Sequence, residues 1–536
     1  MHKLHTGGYM PTVAHWPSEC INACQIPTMH FFLIVFMIFA SACEGFNILA
    51  LLPYSGKSHF MVFEPIIDEL ARRGHHVTVV SFFPAATPHE NRRDVSLVGL
   101  APLNVEVMDL KNFDGASLFT RKFYNQFVLV TDLVNLNVEV CEQILNSDVF
   151  DEFLKARGDF DVILVEHFNT GCMQGIVHNY GVPSIGLMSC ALLPWGPERV
   201  GAQVDPARFP SMLLPLTDDM TFLELVENTF NVYFYIYWQN YLCRKEQTLL
   251  EEKLGYKLPP LGDIESNASV ILINTHHTLN GVRVLPPSVV EVGGVHLHNK
   301  SVKALPEYLE KWISQSKHGF ILFSFGSLIR GSSLPPKRLD AILKIFALLP
   351  QRIIWKWETE DIKDLPENVL VLKWLPQYDL LHHPSCVAFI THAGLLSLTE
   401  AVEAGVPMVM VPVLGDQPGN AAHAQRAGIA EVIPLYDLDE HTLYEALLKV
   451  LTPEMRARAK KFSQVWSERP LSPMDTAIYH IEYTARHGGF NSLSRRHNYN
   501  TQLFVIKYGT LIVILTVIFV IASCCCRTKK VKVKLS

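Results

Sequence analysis

Short, almost wholly apolar runs alternate with stretches of helical spacing along most of the 536-residue chain, as expected of parallel strands joined by crossover helices. Asn47 to Leu52 is the first such run. Met61 to Arg73 follows, with Val62, Ile66, Ile67 and Leu70 on one helical face; Gly74 stops it, and His76 to Ser81 reads as the next buried strand. The order recurs at Val162 to Val165, Cys172 to Tyr180 and Pro183 to Met188, which predicts a parallel sheet in the first half. The second half repeats the scheme with a strand at Phe320 to Phe325, a helix at Lys337 to Leu348, a strand at Arg352 to Lys356, and so on to Val432. Between the halves, Leu285-Pro286-Pro287 and Val292-Gly293-Gly294-Val295 mark a linker. Two doubly wound domains are expected, with the ligand crevice outside the carboxyl ends of their strands.

Three apolar stretches stand outside this alternation. After His30 comes FFLIVFMIFASA, free of acidic residues, and Ser41-Ala42-Cys43 offers small side chains before Glu44, a pattern that predicts a cleaved secretory signal within residues 1–43. The segment before Met29 has no evident role, so Met29 is an alternative start. Tyr508 to Cys526 carries no charge and, as a helix rising ~1.5 Å per residue, roughly spans the ~30 Å hydrocarbon core. A transmembrane helix is therefore placed at residues 504–526. Arg527, Lys529, Lys530, Lys532 and Lys534 crowd the tail at 527–536, which predicts a cytosolic tail, a luminal bulk and a single-pass type I topology. Thr221 to Trp238 is dense in aromatic residues and reads either as domain core or as a surface that meets the bilayer or admits lipophilic substrates.

A hydrophobic content of 49% agrees with contact between part of the chain and lipid, and a net charge of -6 argues against nucleic acid, which needs a basic face. Of 11 cysteines, Cys141, Cys172, Cys190, Cys243 and Cys386 lie well inside the luminal part with no CxxC pair, so neither a disulfide scaffold nor a zinc site is indicated. Cys524, Cys525 and Cys526 close the membrane helix as palmitoylation candidates or plain filler. Asn267-Ala268-Ser269 and Asn299-Lys300-Ser301 are glycosylation sequons, each predicting an exposed loop.

Candidate chemistry sits at strand ends. Gly56-Lys57-Ser58 is not a P-loop, because Leu51 stands where that motif needs glycine; what remains is His59, in the loop after the first strand and ahead of a helix. In the second half, Phe325-Gly326-Ser327 ends one strand, and Thr391-His392-Ala393-Gly394 ends another just before a helix holding Ser397 and Glu400. Backbone N–H groups at such a helix start attract a diphosphate, and His392 adds a donor without a metal. A carboxylate at Glu400 suits the two hydroxyls of a ribose.

The segment Phe389 to Gln417 resembles the signature of the membrane-bound UDP-glycosyltransferases, the family that includes the UDP-glucuronosyltransferases. The likeness runs through Thr391-His392, Gly394, Ser397, Glu400, Pro407, Pro412, Asp416 and Gln417 with every spacing kept, and extends from Asn47 to the basic tail. Gly56-Lys57-Ser58-His59-Phe60 and Phe160 to Glu166 look closest to the invertebrate, especially insect, branch. The resemblance implies a GT-B fold: two Rossmann-like doubly wound domains facing an interdomain cleft, with the acceptor domain at 44–285 and the UDP-sugar domain at 286–500. It further implies His59 as the catalytic base, Trp374 and Gln377 at uracil, Ser327, His392, Gly394 and Ser397 at the diphosphate, Glu400 at ribose, and Asp416 with Gln417 at the sugar hydroxyls. The donor implied is UDP-glucose or UDP-glucuronate, leaning to glucose, and the acceptor is a small lipophile; the alternatives are a non-catalytic nucleotide-sugar-binding carrier or receptor and transfer to lipid or protein acceptors. No metal or other cofactor is expected. Lys532 and Lys534 resemble an endoplasmic-reticulum retrieval signal, and self-association of the chain is left open.

Three positions depart from the family. Its aspartate beside the histidine is matched here by Glu166, whose extra methylene lengthens the reach, with His167 next door as a competing assignment. Ala393 replaces a usual glycine, and Leu396 stands where many relatives carry asparagine.

Overall fold

The computed structural model describes residues 45–113, 126–127, 129–359 and 362–489. The expected signal segment, the transmembrane helix at 504–526 and the tail at 527–536 lie outside them. Among the described residues no helix is long and apolar enough to cross a membrane.

From Asn47 to Glu291 the strands are β1 (Asn47–Leu52), β2 (His76–Ser81), β3 (Arg92–Ser96), β4 (Met108–Asp109), β5 (Val162–Glu166), β6 (Ser184–Met188), β7 (Val270–Ile273) and β8 (Val289–Glu291). All but β4 join one parallel sheet in the order β3-β2-β1-β5-β6-β7-β8. Then come β9 (Phe320–Ser324), β10 (Ile329–Arg330), β11 (Arg352–Lys356), β12 (Val369–Leu372), β13 (Cys386–Thr391), β14 (Met408–Met410) and β15 (Ala430–Val432). These form a second parallel sheet, β12-β11-β9-β13-β14-β15, with β10 outside it. Strand order reverses between β1 and β5 in one sheet and between β9 and β13 in the other, and at such switch points the strand ends open a crevice.

Both faces of each sheet are covered, which is why the central strands read as unbroken apolar runs rather than alternating ones. Along β1, Ile48, Ala50 and Leu52 face helix α1 (Lys57–Arg72), while Leu49 and Leu51 face Cys141, Phe150 and Ile176 on the other side. Helix α2 (Phe222–Leu254) starts at a capping box of Thr221 and Glu224 and carries the aromatic stretch. The stripe is split: Tyr235 is fully buried, whereas Phe222, Phe230 and Tyr237 are exposed, so the expected domain core accounts for only part of it.

The expected division at 285/286 does not follow the sheets. β8 lies beyond it yet pairs with β7 of the first sheet. Past the second sheet, helix α6 (Pro473–His487) returns to the first, burying Met474, Ala477, Ile478 and Ile481 against the α1 face, and Asp475 accepts from Arg73 at 3.1 Å. In the opposite direction, β4 pairs with β10, and Leu110 is fully buried in the core of the second sheet with its N–H donating to Ser333 Oγ at 2.7 Å. Helical periodicity carries no information about which sheet a helix covers, so these exchanges were invisible in the pattern.

Cys141 and Cys172 form a disulfide that the sequence did not indicate, with Cα atoms 5.6 Å apart; Cys190, Cys243 and Cys386 are free and buried. Its partners lie 31 residues apart in sequence, so replacing both by alanine is expected to lower the unfolding free energy by about 3 to 4 kcal/mol through the entropy of the released loop. Denaturant titration of the oxidised protein against the double variant checks this, and an unchanged midpoint would refute it.

Candidate active site

The loop leaving β1 turns at Pro53 to Gly56 and enters α1, which begins at Lys57; His59 therefore sits in the first helical turn rather than in the loop. Gly56 is required by packing, since a Cβ there would lie 2.4 Å from the Tyr54 ring. That ring and Phe168 stand 4.5 and 4.2 Å from the His59 imidazole, giving it an aromatic collar. Burial, with the Glu166 charge nearby, holds the Tyr54 hydroxyl far above its ordinary range, so it stays protonated.

Glu166, the last residue of β5, reaches the histidine despite its longer side chain: its Oε1 is 3.0 Å from His59 Nδ1, and its side chain is 2% exposed. His167 does not compete, because successive strand residues point to opposite faces. Its ring is buried 3.6 Å from Glu265, and burial lowers its basicity. Ser189 Oγ, from the end of β6, lies 2.8 Å from the same His59 nitrogen.

The second sheet supplies the facing wall. His392 ends β13 and is buried against Gly326 and Gly394, where Cβ atoms would come within 2.5 and 2.3 Å of its ring. Burial, with the Lys356 ammonium nearby, pushes His392 down to about 4, so the imidazole is neutral at physiological pH. Its buried Nδ1 has no hydrogen-bond partner. Ala393 occupies the left-handed region at φ 66°, which explains why glycine is usual at this position. Leu396, in place of asparagine, packs against the apolar cluster of the first half.

Helix α3 (Gln377–His382) and helix α4 (Leu395–Ala404) bring three expected residues together: Gln377 Nε2 donates to Ser397 Oγ at 3.1 Å and to Glu400 Oε2 at 2.7 Å. The other Glu400 oxygen accepts from Lys300 Nζ at 2.5 Å, so the carboxylate is engaged on both oxygens. Trp374 is 70% exposed, as a ring free to stack on a base would be, with Lys57 Nζ 5.7 Å from its centroid. Ser327 is half-buried after β9, and its carbonyl accepts from Glu106 N at 2.8 Å.

Asp416 precedes helix α5 (Gln417–Arg426) and accepts from Asn420 Nδ2 at 2.9 Å. Burial pushes its carboxyl up; the Asn420 hydrogen bond and the charge of His59 across the cleft partly offset this. Gln417 accepts through its side-chain carbonyl from the N–H groups of Val413 and Leu414, at 2.9 and 3.0 Å. Both sequon asparagines, Asn267 and Asn299, are exposed. Among the described residues no group of three or more His, Cys, Asp and Glu side chains is arranged to hold a metal ion.

Residues 49–535 match the family described as UDP-glucoronosyl and UDP-glucosyl transferase. The chain belongs to this family and is a UDP-glycosyltransferase. The UDP-glucosyltransferase 2 of Dactylopius coccus is 32% identical over 467 residues, covering 86% of this chain and 88% of its own. The human UDP-glucuronosyltransferase 2B7 is 29% identical over 487 residues, covering 87% and 90%. Among solved structures, the glycosyltransferase of kitacinnamycin superposes with a TM-score of 0.58 at 18% identity, covering 82% of this chain and 100% of that one. The two parallel sheets and this likeness establish the GT-B fold.

Within this UDP-glycosyltransferase, sequence reading missed Lys300 and Ser189, because neither carries a local motif. Lys300 lies in the link between the sheets, its ammonium 4.6 Å over the Tyr378 ring, with Lys303 N donating to Asp379 at 2.7 Å. A carboxylate as buried as Glu400 needs a counter-charge to stay ionised. Replacing Lys300 by Met is therefore expected to weaken UDP binding about tenfold, the loss of one charge-assisted hydrogen bond. Calorimetric titration with UDP checks this; unchanged or tighter binding would mean that the lysine only blocks the ribose site.

Proposed function

We propose that this UDP-glycosyltransferase moves glucose from UDP-glucose to a hydroxyl of a small lipophilic acceptor, by single displacement with inversion to a β-glycoside. The acceptor O–H proton passes to His59 Nε2 as its oxygen bonds the anomeric carbon; the bond from that carbon to the phosphate oxygen breaks, and UDP leaves. Glu166 accepts from Nδ1–H and stabilises the imidazolium. The observation that carries this reading is the His59–Glu166 contact at 3.0 Å facing Asp416 across the cleft. A carrier that had lost turnover would have no need of that contact.

The neutral His392 and the open N-terminus of α4 suit a diphosphate, whose leaving-group charge they would meet. Glucose is favoured over glucuronate because a 32% identical relative is a UDP-glucosyltransferase. The aromatic collar of Tyr54 and Phe168 favours phenolic or steroidal acceptors over lipid or protein ones. A luminal position in the endoplasmic reticulum, anchored by residues 504–526, rests on the sequence of the two ends and agrees with the exposed Phe222, Val226, Phe230 and Tyr237 at helical spacing on α2.

Replacing His59 by Ala is expected to lower turnover by roughly 10² or more with UDP affinity nearly intact. Full activity in that variant would remove the base from the mechanism. A panel of UDP-sugars against a mixed phenol and steroid library, read by mass shift, should give hexose adducts with UDP-glucose; adducts with UDP-glucuronate alone would reverse the donor assignment. Turnover should also survive EDTA, since the diphosphate is met by protein donors, and its abolition would show a metal requirement.

A further inference from the structure

Three adjacent strands of the first sheet bring together an imidazole and two side chains that contact it. His59 follows β1, Glu166 ends β5 and Ser189 follows β6, which are neighbours in the sheet. Both Glu166 Oε1 and Ser189 Oγ lie within hydrogen-bond distance of Nδ1, at 3.0 and 2.8 Å. Nδ1 without a proton would present its lone pair to a carboxylate, so the proton belongs on Nδ1 and is shared between two acceptors. Nε2 is then the free base. A hydroxyl oxygen has two lone pairs, so Ser189 can act as acceptor toward the ring.

The serine is itself held. It is 3% exposed, and its carbonyl accepts from Asn274 Nδ2 at 2.9 Å at the end of β7. Asn274, 2% exposed, accepts in turn from the N–H of Gly294 in the link to the second sheet, at 3.2 Å. A polar chain thus runs from the base across β6 and β7 to the segment that joins the two sheets.

We propose that Ser189 is a positioning residue for the base, the second acceptor that fixes the ring plane and tautomer of His59 where glutamate replaces the shorter aspartate. Glu166 has one more rotatable bond than aspartate, so a single contact through it restrains the ring less. A second acceptor from a different strand removes that freedom.

The inference rests on His59 being the base, and the test uses the full-length enzyme with UDP-glucose and a phenolic acceptor. Ser189→Ala should lower kcat about tenfold, the rate equivalent of one hydrogen bond, with KM for the UDP-sugar and UDP affinity unchanged. Ser189→Thr, which keeps the hydroxyl, should restore most of the loss. Unchanged kcat in the alanine variant overturns the proposal. A changed donor KM or donor preference at constant kcat also overturns it, in favour of a sugar contact. Should the alanine variant not fold, Ser189→Cys keeps the shape, weakens the acceptor and carries the same expectation. His59→Ala in parallel separates the two ideas: if it remains active the base reading fails, and if it is inactive while Ser189→Ala is fully active, only the positioning role fails.

Discussion

The parallel pairing of β1 with β5 is the constraint on which the site depends. Its register sets Leu51 against Val165, so the loop leaving β1 and the terminal Glu166 of β5 emerge at one edge of the sheet. Strand spacing of about 4.8 Å then decides the chemistry, because a histidine one turn into the following helix and a carboxylate at the neighbouring strand end fall within hydrogen-bond reach. The extra methylene of Glu166 is absorbed in that geometry, with Ser189 from the next strand on the same nitrogen. The second sheet repeats the device: β9 and β13 pair in parallel, and Ser327 and His392 follow their ends. Two switch points facing each other make one cleft.

Keeping them facing is a matter of exchanged segments. β4 and Leu110 leave the first half to pack on the second; α6 leaves the second to pack on the first. Burying a leucine such as Leu110 contributes roughly 2 kcal/mol, and losing it on separation opposes opening by a similar amount. Charged contacts at the seams, Arg73 with Asp475 and Arg426 with Asp218 and Asp219, add orientation more than energy, since exposed pairs are screened. Gly419 N donates to Met212 O at 3.2 Å, and a Cβ there would lie 2.7 Å from that oxygen, so the helix behind Asp416 and Gln417 lies against the first half with no room to spare.

Electrostatically the cleft is divided. Burial keeps His392 neutral on one wall, while Glu400 stays beside Lys300 as an ion pair. Asp416 is the exception, a buried carboxyl whose ionised form is stabilised by Asn420 and by His59 from the opposite wall.

Most of the strands were legible in the chain, because local periodicity acts over a few residues: β1, β2 and β11 have the bounds that alternation predicts. Gln377, Ser397 and Glu400, which the resemblance assigns to three parts of the donor, are in mutual contact. His59 was legible as a strand-end residue, and its partner Glu166 only through the family likeness. The Cys141–Cys172 disulfide, the return of α6, the placement of β8, and the roles open to Ser189 and Lys300 were not. Each depends on a contact between segments whose separation along the chain leaves no periodic trace. Hydrophobic spacing determines which residues form an element and which face is buried; which elements become neighbours, and so which side chains come within 3 Å, is decided only when both sheets close.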